Sequence, residues 1–291
     1  MPILKNKFLE ISVDLPLEGY QASRFDWTGK ITEVKFQNIP VSAKETLENF
    51  NVKTHGQGFY NEFGFDEPIG FSDCKIGGWF HKIGIGLLKK EDKAYHFSKT
   101  FQIKPATFEV EIEADKIKIV CIGENESGYG YRLQKEIKLH EVGFSINYDL
   151  TNTGEKTIIT NEYTHNFLGS QNGLIGKQNQ LDFPFQIQPS KFIETINPEK
   201  NVILGHKMVN FRTHPNLPFF FSNLSGSEIA KATWEFTDQK IKISEICNFN
   251  SNKFNLWGWK HVVSPEMYFD IEILPNKNLK WCRLYQFENL K

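Results

Sequence analysis

The 291-residue sequence lacks a strong charge of either sign, because 34 Lys and Arg residues face 35 Asp and Glu residues and leave a formal net charge of −1. A balanced chain exerts no overall electrostatic attraction on nucleic acid or on an anionic membrane surface. The sequence also contains no run of about 18 apolar residues, the length that a membrane-spanning helix requires. These absences predict a protein that binds neither nucleic acid nor membrane.

Cysteine is scarce, and no Cys-x-x-Cys pair or nearby histidine at metal-ligand spacing is present. Three of the four cysteines lie in apolar stretches, where a reduced thiol packs as a small hydrophobic group. Residues 1–14 lack the apolar stretch and the small-residue cleavage site of a secretory signal peptide. We therefore expect a reducing, cytoplasmic setting, with free thiols at Cys74, Cys121, Cys247 and Cys282.

Several motifs that mark common active sites are missing. The sequence has no phosphate-binding Gly-x-x-x-x-Gly-Lys loop and no Gly-x-Ser-x-Gly nucleophile motif. The Gly84-Ile85-Gly86 segment lacks the third glycine of a dinucleotide site, and the eight histidines never occur as His-x-His or His-x-x-x-His. Nucleotide, serine-hydrolase and metal chemistry are therefore disfavoured, and we expect a protein that needs no cofactor.

Phenylalanine is abundant, with 26 residues against 3 methionines, which favours pleated sheet over helix. Apolar and polar residues alternate with period two in many segments, as in half-buried antiparallel strands. The clearest of these segments are 107–113, 116–122, 144–150, 157–160, 241–247 and 267–273. Only 42–50 and 225–234 have the pattern of short helices. The sequence thus predicts an all-β chain in which residues 1–291 form a single domain of two large, mostly antiparallel sheets.

His165 is the most informative polar residue of the predicted strands. Alternation places Tyr163, His165 and Phe167 on one face of the strand that follows a hairpin. An imidazole between two aromatic rings suits sugar binding and proton transfer near neutral pH. A core histidine that bonds a neighbouring hydroxyl group fits the same pattern, so the residues alone leave both interpretations open.

Glu266 is the one charged residue in the otherwise apolar segment 262–269. A carboxylate in such a place must be paired, hydrogen-bonded or shifted in pKa. Because it directly follows Pro265, it is held at a rigid corner and is a reasonable general base. A salt-bridged structural glutamate at the start of a strand is the alternative.

Three further charged residues interrupt segments rich in glycine and phenylalanine. Arg24 stands before a predicted turn, where a surface pair with Asp26 is as consistent with the sequence as a contact to a ligand. Glu62 and Lys82 lie in segments that resemble loops over a cleft, and loops of that kind often carry binding residues. A cation at the rim of such a cleft would suit a phosphorylated ligand.

The sequence between Tyr129 and Leu168 carries three consecutive motifs. They read Gly-Tyr-Gly-Tyr-Arg-Leu-x-Lys-x-Ile, Phe-Ser-Ile-Asn-Tyr-Asp-Leu-Thr-Asn-Thr-Gly and Thr-Asn-Glu-Tyr-Thr-His-Asn-Phe. With Ser264-Pro265-Glu266 and the ending at 281–287, they resemble the aldose 1-epimerase (galactose mutarotase-like) superfamily. The segments 24–29 and 61–88 resemble a bacterial branch of these proteins.

This resemblance implies a β-supersandwich and a cofactor-independent isomerase that interconverts the α and β anomers of an aldose. It implies that His165 and Glu266 are the catalytic acid and base. The expected partner is a small-molecule sugar, with Arg24, Glu62, Lys82 and Asn166 as substrate-binding residues, in a monomer or homodimer.

The sequence also departs from the superfamily pattern. The Gly-Arg…Asn-Arg segment and the His-Gly-Gly histidine of the classical enzymes are missing, and His81-Lys82-Ile83-Gly84 only partly matches the basic motif of the hexose-6-phosphate branch. Three alternatives to an aldose 1-epimerase therefore stay open: a hexose-6-phosphate mutarotase, a non-catalytic carbohydrate-binding protein and a polysaccharide-processing enzyme. The last is disfavoured because this chain has no room for a helical partner domain.

Overall fold

The computed structural model describes residues 1–290, and its regular structure is almost entirely β-strand. The high content of β-branched and aromatic residues in alternating patterns explains this preference. One 3-10 helix spans Pro189–Lys191. The strands are β1 (Ile3–Lys5), β2 (Leu9–Asp14), β3 (Lys30–Phe36), β4 (Ile39–Pro40), β5 (Phe59–Phe63), β6 (Trp79–Lys82), β7 (Gly86–Lys89), β8 (Ile103–Pro105), β9 (Thr107–Ile112), β10 (Lys116–Glu126), β11 (Tyr129–His140), β12 (Gly143–Asn152), β13 (Ile158–Asn166), β14 (Asn179–Asp182), β15 (Thr195–Ile196), β16 (Val202–Leu204), β17 (Met208–Phe211), β18 (Phe219–Phe221), β19 (Thr233–Asp238), β20 (Ile241–Cys247), β21 (Phe254–Trp259), β22 (Val262–Met267), β23 (Phe269–Ile273) and β24 (Asn278–Asn289).

These strands form four antiparallel sheets. The largest has ten strands in the order β16-β17-β14-β19-β20-β24-β12-β11-β10-β9. A seven-stranded sheet has the order β1-β2-β3-β5-β13-β23, with β4 paired to β3. The two smaller sheets are β15-β18-β21-β22 and β6-β7-β8. This arrangement confirms the predicted all-β class with large antiparallel sheets.

The principal hydrophobic core contains residues from β1 at one end of the chain to β24 at the other. It is rich in aromatic pairs, such as Tyr148 stacked on Trp281 with ring centroids 4.7 Å apart. A second, smaller cluster of aromatic residues surrounds Phe25 and Phe167. Within residues 1–290, no helix is long and apolar enough to cross a membrane.

Two segments that the sequence predicted as short helices contain no helix. Residues 42–50 run without regular structure, and Ser42 makes a β-bridge with Leu168. Residues 225–234 form turns that lead into β19, where Trp234 is fully buried. Tertiary packing therefore outweighs a weak local preference for helix in both segments.

The strand β9 is more exposed than its alternating pattern predicted. Val110 and Ile112 are 42% and 51% exposed, although the pattern assigned them to a buried face. Because β9 is the last strand of the ten-stranded sheet, less of the neighbouring structure covers its side chains.

The strand β13 presents two chemically different faces. Glu162 and Asn166 point towards the ten-stranded sheet, where they bond side chains of β20 and β24. Tyr163 and His165 point the opposite way, as the period of two requires. The second face supplies the candidate site.

A buried ion cluster ties this strand to the core. Arg283 donates from Nη2 to Glu162 Oε2 at 2.8 Å and from Nη1 to Glu245 Oε1 at 2.6 Å, and all three side chains have no exposed surface. Burial raises the pKa of Glu162, while the Arg283 charge opposes that shift. The cluster holds the back of β13 in one position and so fixes the direction of the residues on its other face.

Candidate functional site

The end of β13 lies against β22, where the seven-stranded and the four-stranded sheets meet. A bridge between Leu168 and Val263 connects the two segments. His165 projects from β13 and Glu266 from β22, and His165 Nε2 lies 3.3 Å from Glu266 Oε1. Their side chains are only 3% and 5% exposed. The fold thus brings together the two polar residues that interrupted apolar strands in the sequence.

Four aromatic rings surround the imidazole of His165. The Phe167 ring stacks on it with centroids 4.0 Å apart and an angle of 10° between the planes. The Trp257 ring approaches edge-on at 5.2 Å, and the rings of Phe25 and Tyr163 lie at 6.1 Å. This shell removes water from the imidazole and replaces it with polarisable, apolar surface.

Burial shifts the proton affinities of both members of the pair. It lowers the pKa of His165 well below its ordinary value, and the Arg24 charge adds to this effect. Burial also raises the pKa of Glu266 to about 8, with the Glu62 charge acting in the same direction. The positive charges of Arg24 and Lys253 oppose the rise in the pKa of Glu266.

Both shifts favour the state in which the pair carries one proton near neutral pH, on the carboxyl of Glu266, with His165 uncharged. Because two ionisable groups in contact titrate as a unit, the pair as a whole binds and releases this proton. Its transfer to the imidazole would produce a carboxylate beside an imidazolium. A pair in this state can accept one proton and donate another.

Arg24 is anchored beside the pair by three hydrogen bonds. Its Nε donates to Glu62 Oε2 at 3.0 Å, its Nη1 to Glu45 Oε1 at 3.0 Å and its Nη2 to the Tyr163 hydroxyl at 3.2 Å. These bonds engage three of the five N–H donors of the guanidinium, which leaves two for a ligand.

The alternative interpretation of Arg24 as the surface partner of Asp26 is wrong. Asp26 is buried and accepts a hydrogen bond from Lys135 Nζ at 2.9 Å. Arg24 instead belongs to the cluster around the His165–Glu266 pair.

Glu62 and Lys82 are more deeply buried than loop residues over a cleft would be. They lie in β5 and β6, and neither side chain has any exposed surface. Lys82 Nζ donates to Glu62 Oε1 at 3.2 Å, to the Gly64 carbonyl at 3.2 Å and to the Tyr95 hydroxyl at 2.8 Å. All three ammonium protons are thereby used. Lys82 therefore has no free donor for a sugar or a phosphate and does not stand at a cleft rim, contrary to the expectation from the sequence.

Asn166 points away from the pair. Its Nδ2 donates to the Pro265 carbonyl at 2.7 Å and to Glu245 Oε2 at 3.1 Å, while its Oδ1 accepts from the Tyr285 hydroxyl at 2.9 Å. Alternation places the neighbour of His165 on the opposite face of β13. The prediction of Asn166 as a substrate contact does not fit this geometry, because its side chain is buried and bonded in the core.

An open cavity of about 220 Å³ lies on the outer side of Arg24. Glu45, Phe97 and Lys99 line other parts of its wall, and neither member of the His165–Glu266 pair is among its lining residues. The Arg24 guanidinium lies 4.8 Å from the centre of the Phe97 ring. Arg24 therefore connects this cavity with the buried pair.

Comparison with known proteins supports the fold through structure alone. No family model matches the sequence, and no curated protein matches it. Among solved structures, a galactose mutarotase-like protein from Lactobacillus casei superposes with a TM-score of 0.59 at 10% identity, over 99% of this chain and 100% of that one. An aldose epimerase homologue from C. elegans gives a TM-score of 0.55 at 10% identity, over 100% and 99% of the two chains. A provisionally assigned aldose 1-epimerase from Escherichia coli K12 gives 0.62 at 11% identity, over 99% and 98%.

The chain has the galactose mutarotase-like fold.

The sequence did not reveal that Trp257 is a neighbour of the His165–Glu266 pair. Strand pairing sets Trp257 opposite Ser264 and Asn255 opposite Glu266, so these side chains share one face of β21 and β22. The Asn-Leu-Trp-Gly-Trp alternation at 255–259 signalled a strand, but its register against β22 could not be read from the sequence.

Proposed function

We propose that this protein is a cofactor-independent aldose 1-epimerase, in which His165 and Glu266 move protons on and off a sugar. The observation that carries the proposal is the 3.3 Å contact between His165 Nε2 and Glu266 Oε1. Burial lowers the pKa of His165 and raises that of Glu266, which favours a pair that holds one proton. Anomer exchange needs one group that accepts a proton and one that donates a proton. The likeness to mutarotase-like structures agrees with this chemistry and, at 10–11% identity, supports the fold alone.

The proposed reaction begins when the shared proton passes from Glu266 to His165 and the sugar separates the two side chains. Glu266, as a carboxylate, takes the proton of the anomeric hydroxyl, while protonated His165 gives its proton to the ring oxygen. The C1–O5 bond breaks, the free aldehyde turns about the C1–C2 bond, and reclosure with the two roles exchanged yields the other anomer. Each positioned proton-transfer group contributes about 10²–10⁴-fold to the rate.

Arg24 is the sugar-binding residue that the geometry supports best. Two of its N–H donors are free, and its side chain reaches both the open cavity and the neighbourhood of the pair. Glu62 and Lys82 act on the sugar indirectly in this proposal, because Glu62 holds the guanidinium and Lys82 holds Glu62. They are positioning residues.

Charge balance favours an uncharged sugar over a sugar phosphate. Arg24 is paired with Glu45 and Glu62, and Lys82 is paired with Glu62. Lys99, which lines the cavity, is paired with Glu91 and Asp92. A phosphate group would have to compete with a carboxylate for each of these cations.

A non-catalytic carbohydrate-binding protein is the second candidate. The observation in its favour is the burial of the pair, whose side chains are only 3% and 5% exposed. Catalysis requires hydrogen-bond reach between these groups and the sugar, so the pair must open when the sugar arrives. A protein whose pair stays closed could still hold sugar at Arg24.

The test is the rate of anomer exchange, measured by polarimetry or exchange NMR with matched free and 6-phosphorylated aldoses. We expect wild type to accelerate exchange of the free sugar, and Glu266→Gln and His165→Gln each to lose at least about 10²-fold. Glu272→Gln and His96→Gln remove the same groups from exposed positions and should retain full activity.

The same assay decides among the alternatives. If wild type binds sugar but accelerates neither substrate, the binding protein is the better description. If phosphate improves catalytic efficiency at least tenfold, about 1.4 kcal/mol of transition-state binding, the preference for an uncharged sugar is wrong.

A further inference from the structure

Trp257 occupies a distinct place among the four rings around His165. Phe25, Tyr163 and Phe167 are at most 1% exposed, whereas Trp257 is only partly buried. Its ring lies 5.2 Å from the imidazole at an angle of 75°. Of these four rings, Trp257 is therefore the one that solvent reaches.

Strand register also directs Trp257 towards Glu266. In the β21–β22 hairpin, Trp257 pairs with Ser264 and Asn255 pairs with Glu266. Paired residues of an antiparallel ladder lie on the same face, and diagonal neighbours along that face are within reach of an aromatic side chain. The indole thus lies beside His165 and on the same face of the hairpin as Glu266.

The chemistry of an indole suits one class of ligand. It offers a rigid, apolar face of large area at little cost in conformational entropy. A pyranose presents a face of C–H groups together with a rim of hydroxyl groups. Arg24, which bonds Tyr163 beside the pair, has two free N–H donors that match the hydroxyl rim.

We propose that Trp257 is the residue that contacts the sugar ring, covering the His165–Glu266 pair in the free protein and packing against the C–H face of an uncharged pyranose in the complex. This inference rests on the proposed function for the nature of the ligand. It assigns Trp257 to ring recognition and leaves proton transfer to the pair.

The chain provides a matched control two residues away. Trp259 belongs to the same strand, alternates onto the same face and is also partly buried. Its ring, however, lies 6.0 Å from His261, and its Nε1 donates to the Asn216 carbonyl at 2.7 Å. Replacing Trp259 removes an equal amount of aromatic surface from the same strand without touching the pair.

The experiment compares Trp257→Ala and Trp257→Phe with Trp259→Ala and Trp259→Phe in anomer exchange of a free aldose. Trp257→Ala should raise KM at least about tenfold. Trp257→Phe should have a KM close to that of wild type because an aromatic ring remains. Both Trp259 variants should have KM values within about twofold of wild type. If Trp257→Ala and Trp257→Phe both have the same KM as wild type, the inference is overturned and the proposed function stays intact.

Tryptophan fluorescence during sugar titration gives a second readout that does not depend on catalysis. Sugar should change the emission of wild type and of Trp259→Phe, and the change should disappear in Trp257→Phe. If Trp257→Ala fails to fold, the fluorescence titration of the two Phe variants tests the inference instead. A sugar-dependent change in emission that persists in Trp257→Phe would overturn the inference. A signal that depends on Trp257 in a protein without anomer exchange would contradict the proposed function and support the ring contact.

Discussion

Replacing Glu266 by Gln should stabilise the protein, and the gain should grow with pH. The pKa of Glu266 is raised on folding from 4.5 to about 8, chiefly because burial disfavours the charged form. In the unfolded chain the same carboxyl loses its proton near pH 4.5. Between these two values the folded state binds more protons than the unfolded state, so the free energy of unfolding falls as pH rises. Gln has no proton to lose and removes this dependence.

The size of the effect follows from the shift. One pKa unit corresponds to about 1.4 kcal/mol, so the full shift corresponds to roughly 5 kcal/mol at pH values above about 8. Relaxation around the buried carboxylate reduces this figure. We expect the stability advantage of Glu266→Gln to be about 2–4 kcal/mol larger at pH 9 than at pH 5, where most of the difference has not yet developed.

Urea unfolding at pH 5, 7 and 9 measures this difference, with the slope m as a check that both proteins unfold alike. Glu272→Gln removes an exposed carboxylate from β23 and serves as the control, for which the difference from wild type should change little with pH. A constant difference in stability between Glu266→Gln and wild type across this range would contradict a raised pKa of Glu266 in the folded protein. It would mean that Glu266 is already ionised in the folded protein.

Three further substitutions test how the surroundings of the site are held. Arg283→Met should destabilise the protein by about 3–5 kcal/mol in urea unfolding, because two buried carboxylates lose their cation; an unchanged midpoint would contradict this. Lys82→Met should lower stability, since it removes a buried partner of Glu62, yet leave the ratio of activities on free and phosphorylated sugar unchanged. Gly58→Ala should lower the free energy of unfolding, measured by heat or urea, by more than about 1 kcal/mol. Gly58 has φ +62°, and a Cβ there would press on the Ile31 carbonyl. An unchanged free energy of unfolding would show that the backbone relaxes easily.

Local pattern was enough to predict several strands of the ten-stranded sheet. The prediction for 241–247 coincides with β20, and the one for 144–150 lies within β12. These strands pack one face on the core, so period two appears directly in the sequence. The segment 225–234 failed because Trp234 lies in β19, where it is fully buried and pairs with Glu245 of β20, outside that segment.

The candidate site was predictable where a polar residue interrupts an apolar strand. His165 and Glu266 both met this condition, and the family resemblance linked them across 101 residues of sequence, from 165 to 266. Lys82 was misjudged because a buried lysine with three bonded protons has the same local sequence as an exposed one. Trp257 was missed because its proximity depends on the register of β21 against β22.

A structure of the protein with a bound unphosphorylated aldose would show whether the His165–Glu266 pair reaches the reacting atoms of the sugar. We expect the sugar to separate His165 from Glu266, with the anomeric hydroxyl and the ring oxygen each within about 3.2 Å of one of these side chains. The Trp257 ring should lie against the sugar. A sugar bound only in the cavity beside Arg24, with the His165–Glu266 contact still closed, would contradict proton transfer by this pair.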